Sequence, residues 1–96
     1  MTGAEMIANE RQKQIDADGW TAEHDDDHSG GEMIEAAVAY ARFGSAPRFA
    51  AWAPSCWPWD QAWWRPGERI RTLVKAGALI AAEIDRLQRT YESVTL

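Results

Sequence analysis

The sequence predicts an all-α fold: a small domain of three helices joined by two long ordered loops, the second of them rich in tryptophan. Apolar residues recur at helical spacing in three stretches of the chain. No segment shows the strict alternation of apolar and polar residues that is typical of a half-buried strand. A length of 96 residues with 46% hydrophobic residues is enough for one domain, which we expect to span residues 1–96.

The first two predicted helices cover about residues 3–17 and 31–43. The first has no proline and no internal glycine, and Gly19 supplies a natural stop after it. The second carries two glutamates in its first turn, where the helix dipole favours acidic side chains, and Gly44 closes it.

The third predicted helix, about residues 67–91, gives the clearest signal. It follows Pro66, a residue suited to a first helical turn. Its apolar positions keep the i, i+3, i+4, i+7 spacing of one helix face for about six turns. They are Ile70, Leu73, Val74, Gly77, Ile80, Ala81, Ile84, Leu87 and Tyr91. We therefore expect this stripe to be the face on which the domain is built.

Two long connections remain, an acidic loop (residues 18–30) and an aromatic loop (residues 44–66). Loops of this length in a compact domain are usually functional or disordered. The aromatic loop is predicted to be ordered, because burying a large apolar side chain stabilises a fold by roughly 1.5–3 kcal/mol. Asp60 is a candidate N-cap for a short turn over residues 61–64. The loop holds five of the six tryptophans, Trp52, Trp57, Trp59, Trp63 and Trp64.

Charge and cysteine content exclude several classes of protein. The formal net charge of −5 leaves little room for binding driven by phosphate neutralisation, so we expect no nucleic-acid partner. The longest apolar run, residues 76–82, is too short to span a bilayer, and no secretory signal is evident. With Cys56 as the single cysteine, a reducing cytoplasm is expected. Residues 1–35 hold ten acidic and two basic residues and residues 36–96 five acidic and eight basic, so the two parts should attract each other.

The aromatic loop suits a flat ligand. A planar base stacks on an aromatic side chain with roughly 1–3 kcal/mol per base, and Pro54, Pro58 and Pro66 stiffen the path of the loop. Arginine binds phosphate in bidentate fashion, and four arginines flank the loop: Arg48, Arg65, Arg69 and Arg71. The alternative is that the tryptophans form a second layer of the core, which requires a partner for every indole N–H.

Metal and catalytic interpretations are weaker. The spacing of His24, His28 and Glu32 is compatible with a divalent metal but is not specific for one. Four helix-borne acids, Glu32, Glu35, Glu83 and Asp85, invite comparison with magnesium-dependent nucleotide pyrophosphohydrolases. The second acidic motif of those enzymes is absent here, because Arg86 follows Glu83 at the position where an aspartate is required. Arg86 is better explained as an ion-pair partner of the helix-borne acids. We therefore predict no catalytic residue, no metal and no cofactor, and keep the hydrolase only as a third candidate.

Five motifs carry a resemblance to known proteins: ERQxQI (10–15), GWTxEHDDxH (19–28), WPW (57–59), WWRP (63–66) and KAGALI (75–80). Through them residues 7–89 resemble a family of small phage and prophage proteins, which implies a viral origin and a place in the cytoplasm of an infected bacterium. More distantly, the order of Arg11, Gly19-Trp20, the acidic loop, Tyr40 and the aromatic loop is similar to the RyR repeat domain of ryanodine receptors. That resemblance implies a nucleotide-derived ligand, although the aromatic loop is longer here.

Tryptophan density and resemblance together predict a non-enzymatic module that captures a nucleotide-type molecule, as a sponge for a host immune signal would. The expected ligand-binding residues are Arg11, Trp20, His24, Asp25, Tyr40, Trp57, Trp59, Trp64, Arg65 and Arg69. The alternative is a protein inhibitor of a host defence complex, anchored by exposed tryptophans and an acidic face. A homo-oligomer is expected in either case, because pooling tryptophans between copies would bury them.

Overall fold

The computed structural model describes residues 1–95, with the side chains of residues 1–91, and confirms the all-α class. No β-strand occurs in that range. The elements in chain order are α1 (Gly3–Asp16), α2 (Ala22–Asp26), α3 (Glu32–Phe43), a 3₁₀ turn (Pro47–Phe49), a second 3₁₀ turn (Gln61–Trp63) and α4 (Arg69–Thr95). The long helices lie close to their predicted ranges. Among residues 1–95, no helix is both long and apolar enough to cross a membrane.

The short helix α2 interrupts the acidic loop and was not predicted. Its N-cap is Thr21, whose hydroxyl accepts a hydrogen bond from the backbone N–H of His24 at 3.4 Å. Five residues are too few to show an apolar period, so the sequence signal for α2 is the cap alone. In the aromatic loop the predicted cap is confirmed, because the Asp60 carboxylate accepts from the backbone N–H of Ala62 at 2.8 Å.

Helix α4 begins later than Pro66 led us to expect. The Glu68 carboxylate accepts hydrogen bonds from the backbone N–H groups of Ile70 and Arg71, at 3.1 and 2.7 Å. These contacts satisfy two of the donors that every helix N-terminus leaves unpaired. Pro66 therefore lies in the approach to the helix, outside its first turn.

Helix α4 is the central element, and α1 and α3 both pack against it in the antiparallel direction. Arg69, at the start of α4, donates to the carbonyl of Ala41 near the end of α3 at 2.9 Å. On α1, Glu10 pairs with Arg71, and Ile7 lies beside Gly77. At 27 residues α4 is about 40 Å long and carries the contacts of both other long helices.

The face of α4 that packs into the core is the one opposite the apolar stripe. Its buried residues include Thr72, Ala76, Leu79, Ala82, Glu83 and Arg86. The stripe side chains Ile70, Leu73, Ile80, Ile84 and Tyr91 are instead 41–65% exposed. Val74 is the one residue of the predicted stripe that is buried, so the expectation that the stripe as a whole carries the core is wrong. The physical reason is the size of the side chains in the contact between α3 and α4. α3 contributes Ala36, Ala37 and Ala39, and such small side chains allow the two helices to approach closely.

The predicted attraction between the acidic and basic parts of the chain is confirmed. Within residues 1–91, two ion pairs join them: Glu10 with Arg71, and Asp26 with Arg89 at 2.9 Å. Glu10 is almost completely buried, whereas Asp26 is half-exposed. These pairs fasten α1 and α2 to α4.

Replacing Leu79 tests which face of α4 carries the core. We expect Leu79→Ala to lower the free energy of unfolding by about 2–4 kcal/mol, because a fully buried side chain leaves a cavity. The matched control is Val38→Ala on the exposed face of α3, which should change it by less than about 0.5 kcal/mol. Urea denaturation followed by circular dichroism measures both, and equal losses would contradict this assignment.

Candidate ligand-binding site

A pocket of about 290 Å³ opens between the acidic loop and the aromatic loop. Its walls are largely aromatic and imidazole rings. The lining residues are Trp20, His24, His28, Trp59, Asp60 and Trp63. Each loop contributes three of these residues, so the pocket exists only when the two loops are held against each other.

Four of the lining rings form a closed circuit of contacts. Trp20 stacks on His24 with ring centroids 5.5 Å apart and planes within 5°. The circuit continues from His24 to His28 at 4.8 Å and from His28 to Trp59 at 5.3 Å. It closes with the edge contact of Trp59 on Trp20 at 5.9 Å. Trp63 extends the wall at 6.4 Å from Trp20.

A buried ion pair fixes the acidic side of the pocket. Arg11 Nη2 lies 2.6 Å from Asp25 Oδ2, and the Asp25 side chain is fully buried. Arg11 Nη1 also donates to the carbonyl of Trp20 at 3.3 Å. The second oxygen of Asp25 contacts His24 Nδ1 at 3.1 Å. One pair thus positions two lining residues, after Gly19 turns the chain away from α1 with a φ of +73°.

The third ring of the acidic loop is oriented from α3. His28 Nδ1 lies 3.3 Å from Glu32 Oε2, on the first residue of that helix. The ring therefore has a fixed partner on one side and the pocket on the other. Both histidines of the pocket are oriented by a carboxylate in this way.

The aromatic side of the pocket rests on the core. Tyr40 of α3 stacks on Trp64 at 4.9 Å and meets the edge of Trp57 at 5.1 Å. Trp57 in turn contacts Trp59 at 5.4 Å, so the pocket wall is backed by buried rings. The indole N–H of Trp57 donates to the carbonyl of Asp60 at 3.1 Å, and that of Trp64 to the carbonyl of Phe49 at 2.8 Å.

The hydroxyl of Tyr40 connects the core to the pocket rim. It donates to the carbonyl of Trp63 at 3.3 Å and accepts from the backbone N–H of Arg65 at 3.1 Å. Burial raises the pKa of Tyr40, so the hydroxyl stays neutral and keeps its donor role. Nearby, burial lowers the pKa of Lys75, whose Nζ donates to the Arg65 carbonyl at 2.5 Å.

Comparison of the chain with protein-family models, curated proteins and solved structures finds no match. The resemblances to the phage family and to the RyR repeat domain therefore stay predictions. What the site can do has to be inferred from its own residues and their chemistry.

The structure brings some of the ten predicted ligand-binding residues together and separates others. Trp20, His24 and Trp59 line the pocket. Arg11 and Asp25 lie beneath it and bind each other. The remaining five are apart from the lining: Tyr40, Trp57 and Trp64 are in the core, Arg65 lies over the ring of Trp63 at 5.2 Å, and Arg69 binds α3.

Three lining residues were missed as ligand contacts. His28 was considered only as a metal ligand, Asp60 only as a helix cap, and Trp63 only as one tryptophan among five. The signal for His28 is its spacing of four residues from His24, and the two rings are in edge contact at 4.8 Å. In the described part of the chain, no three His, Cys, Asp or Glu side chains converge as a metal site would require.

The acids compared with a hydrolase have other contacts. Glu83 and Arg86 form a buried ion pair through two hydrogen bonds, at 2.5 and 3.2 Å. Arg86 is thus an ion-pair partner, as the sequence predicts, but the pair is buried where an exposed helix face is expected. Glu32 contacts His28, and the side chains of Glu35 and Asp85 are exposed.

The Arg11–Asp25 pair can be tested by replacing its members. Arg11→Met and Asp25→Leu should each lower the free energy of unfolding by about 3–5 kcal/mol, because each leaves a buried charge unpaired. The double variant should recover part of that loss. Asp26→Leu removes the exposed acid next in sequence and should cost no more than about 1 kcal/mol. If Asp25→Leu and Asp26→Leu prove equally stable by urea denaturation, the anchoring role is refuted.

Proposed function

We propose that the protein is a non-enzymatic binding module for a nucleotide-type small molecule, whose base ring enters the pocket between the two loops. The observation that carries the proposal is the circuit of four contacting aromatic and imidazole rings in the wall of an open pocket. Flat apolar walls stack with the face of a base. Because each ring is backed by the core or by an ion pair, the walls are preorganised and little ordering is needed on binding.

The size of the pocket defines which part of the ligand enters it. Small-molecule pockets usually measure about 300–1,000 Å³, so 290 Å³ suits a base better than a whole nucleotide. The sugar and any phosphate then lie outside the rings. Of the arginines among the predicted ligand-binding residues, Arg11 and Arg69 are already bound to protein groups, whereas Arg65 lies against the pocket wall at Trp63. Arg65 is therefore the proposed phosphate contact.

Polar groups in the pocket can recognise the edge of a base. The Asp60 carboxylate can accept a hydrogen bond from an exocyclic amino group. Each histidine offers a ring nitrogen as donor or acceptor, according to its tautomer. Two exposed acids, Glu23 and Asp27, add negative charge to the acidic loop that supplies both histidines. A ligand with few phosphates is therefore favoured over a triphosphate.

Binding without turnover is the property that a sponge for a signalling nucleotide requires. The phage origin implied by the motifs would give such a sponge a use against host immunity.

Tryptophan fluorescence and calorimetry with adenosine, AMP and ADP-ribose test the proposal. We expect Trp63→Ala, which removes a pocket wall that is 44% exposed, to weaken binding about tenfold or more. The matched control is Trp52→Ala, a 69% exposed tryptophan of the same loop that does not line the pocket, which should leave Kd unchanged. Arg65→Gln should weaken AMP and ADP-ribose but not adenosine. The absence of both a fluorescence change and a binding heat with all three ligands would contradict the proposal.

A second candidate function, inhibition of a host protein, is favoured by Trp52. Its side chain is the most exposed of the tryptophans, and tryptophan is enriched at interface hot spots. If it anchors a partner, immobilised wild-type protein should retain a stoichiometric host protein at moderate salt, and Trp52→Ala should lose it. A retained protein that binds both variants equally would remove Trp52 as the anchor.

A further inference from the structure

The exposed stripe of α4 has the spacing of a helix-pairing surface. Its positions alternate by three and four residues, which is the heptad period of helices that pack along their length. They are residues 70, 73, 77, 80, 84, 87 and 91. None of these positions carries a charged side chain. Solvated helix faces are normally polar, so an uncharged stripe of this length needs a partner.

The distribution of large and small apolar residues points the same way. Within the described residues, the fully buried apolar positions are mostly alanines, with Met33 and Leu79 as the large exceptions. The isoleucines of α4, Ile70, Ile80 and Ile84, are exposed by 58, 45 and 52%. The chain thus buries alanines in its helix contacts and aromatic side chains in the cluster around Tyr40, yet it leaves these isoleucines in water.

Gly77 does not interrupt the stripe, because Ile7 of α1 fills its place. A side-chain carbon at position 77 would collide with the Ile7 side chain. Ile7 is itself only partly buried. It therefore completes an apolar surface that runs from Ile70 through Leu73 to Ile84.

The area of this surface suits a small dimer. Its five most exposed side chains, 41–65% accessible, present on the order of 500 Å² per copy, close to the largest patches found on monomers. Two copies together supply on the order of 1,000 Å², the size at which specific interfaces begin. A 96-residue chain buries a smaller fraction of its surface than larger domains do, so this additional burial adds directly to stability.

We propose that the stripe packs against the same stripe of a second copy, with the two α4 helices antiparallel. A two-fold interface must be complementary to itself. The positions from 70 to 87 are spaced symmetrically about the midpoint between 77 and 80. An antiparallel pair therefore sets Ile80 of one copy against the Gly77–Ile7 notch of the other, and Leu73 against Ile84. A parallel pair would bring together the basic residues at the start of each α4.

Sedimentation equilibrium measures the association directly. We expect the wild-type chain to show twice the monomer mass of 10.8 kDa. Ile80→Asp/Ile84→Asp, which places carboxylates in the apolar contact, should raise the dimer Kd at least about 100-fold. Both positions are exposed, so circular dichroism should show unchanged helicity. Trp52→Ala, an exposed apolar residue outside the stripe, should dimerise as the wild type does.

A wild-type chain that stays at monomer mass at all concentrations overturns the proposal. A double aspartate variant that remains dimeric overturns it equally, because the contact then lies elsewhere. The ligand titration can be repeated on the monomeric variant, so the two proposals fail independently. The pocket should bind with unchanged Kd there.

Disulfide trapping tests the antiparallel direction. In a Cys56→Ser background, Ile70→Cys/Leu87→Cys should form a covalent dimer on mild oxidation, because disulfides join residues whose Cα atoms lie within about 7 Å. Ile70→Cys alone should not, since the two residues 70 lie at opposite ends of the pair. Efficient crosslinking of the single variant would overturn the antiparallel arrangement.

Discussion

The buried pair between Arg11 and Asp25 is the interaction on which the candidate site depends. A buried carboxylate is strongly unfavourable unless a cation and further hydrogen bonds satisfy it. Here the pair also reaches the carbonyl of Trp20 and the ring of His24. A helix as short as α2 is not stable by itself, so tertiary contacts have to hold it. α1 supplies one through Arg11, and α4 supplies another through Arg89.

Two kinds of packing contact stabilise the fold. Between α3 and α4 the contact is made largely by alanines, which allow close approach but bury little area each. Each side chain buries more area in the aromatic cluster around Tyr40, where Trp57 and Trp64 are buried and hydrogen-bonded. That cluster also supports Trp59, so the part of the chain that stabilises the fold is the part that shapes the pocket.

The sequence predicts the helices far better than it predicts their surroundings. The apolar period locates the long helices, yet it cannot say which face is covered. Close packing of α4 buries mainly alanines together with Val74 and Leu79, and it leaves the isoleucines outside. The aromatic loop was recognised as ordered, but its five tryptophans look alike in sequence. Only the fold separates Trp57 and Trp64, which are core, from Trp59 and Trp63, which line the pocket. The sequence marks His28 only as a candidate metal ligand, because its place in the pocket depends on how the acidic loop folds against Glu32 and Trp59.

The use of the basic residues explains the ligand preference that we infer. Most of them are already bound within the fold: Arg11 to Asp25, Arg71 to Glu10, Arg86 to Glu83, Arg89 to Asp26, Arg69 to the Ala41 carbonyl and Lys75 to the Arg65 carbonyl. An arginine that holds a buried carboxylate cannot release it for a phosphate without leaving that charge unpaired. Most of the positive charge therefore stabilises the fold. The pocket presents aromatic faces to a ligand, with Arg65 at its wall. Recognition then depends on the ring of the ligand, and phosphate contributes affinity only at the rim.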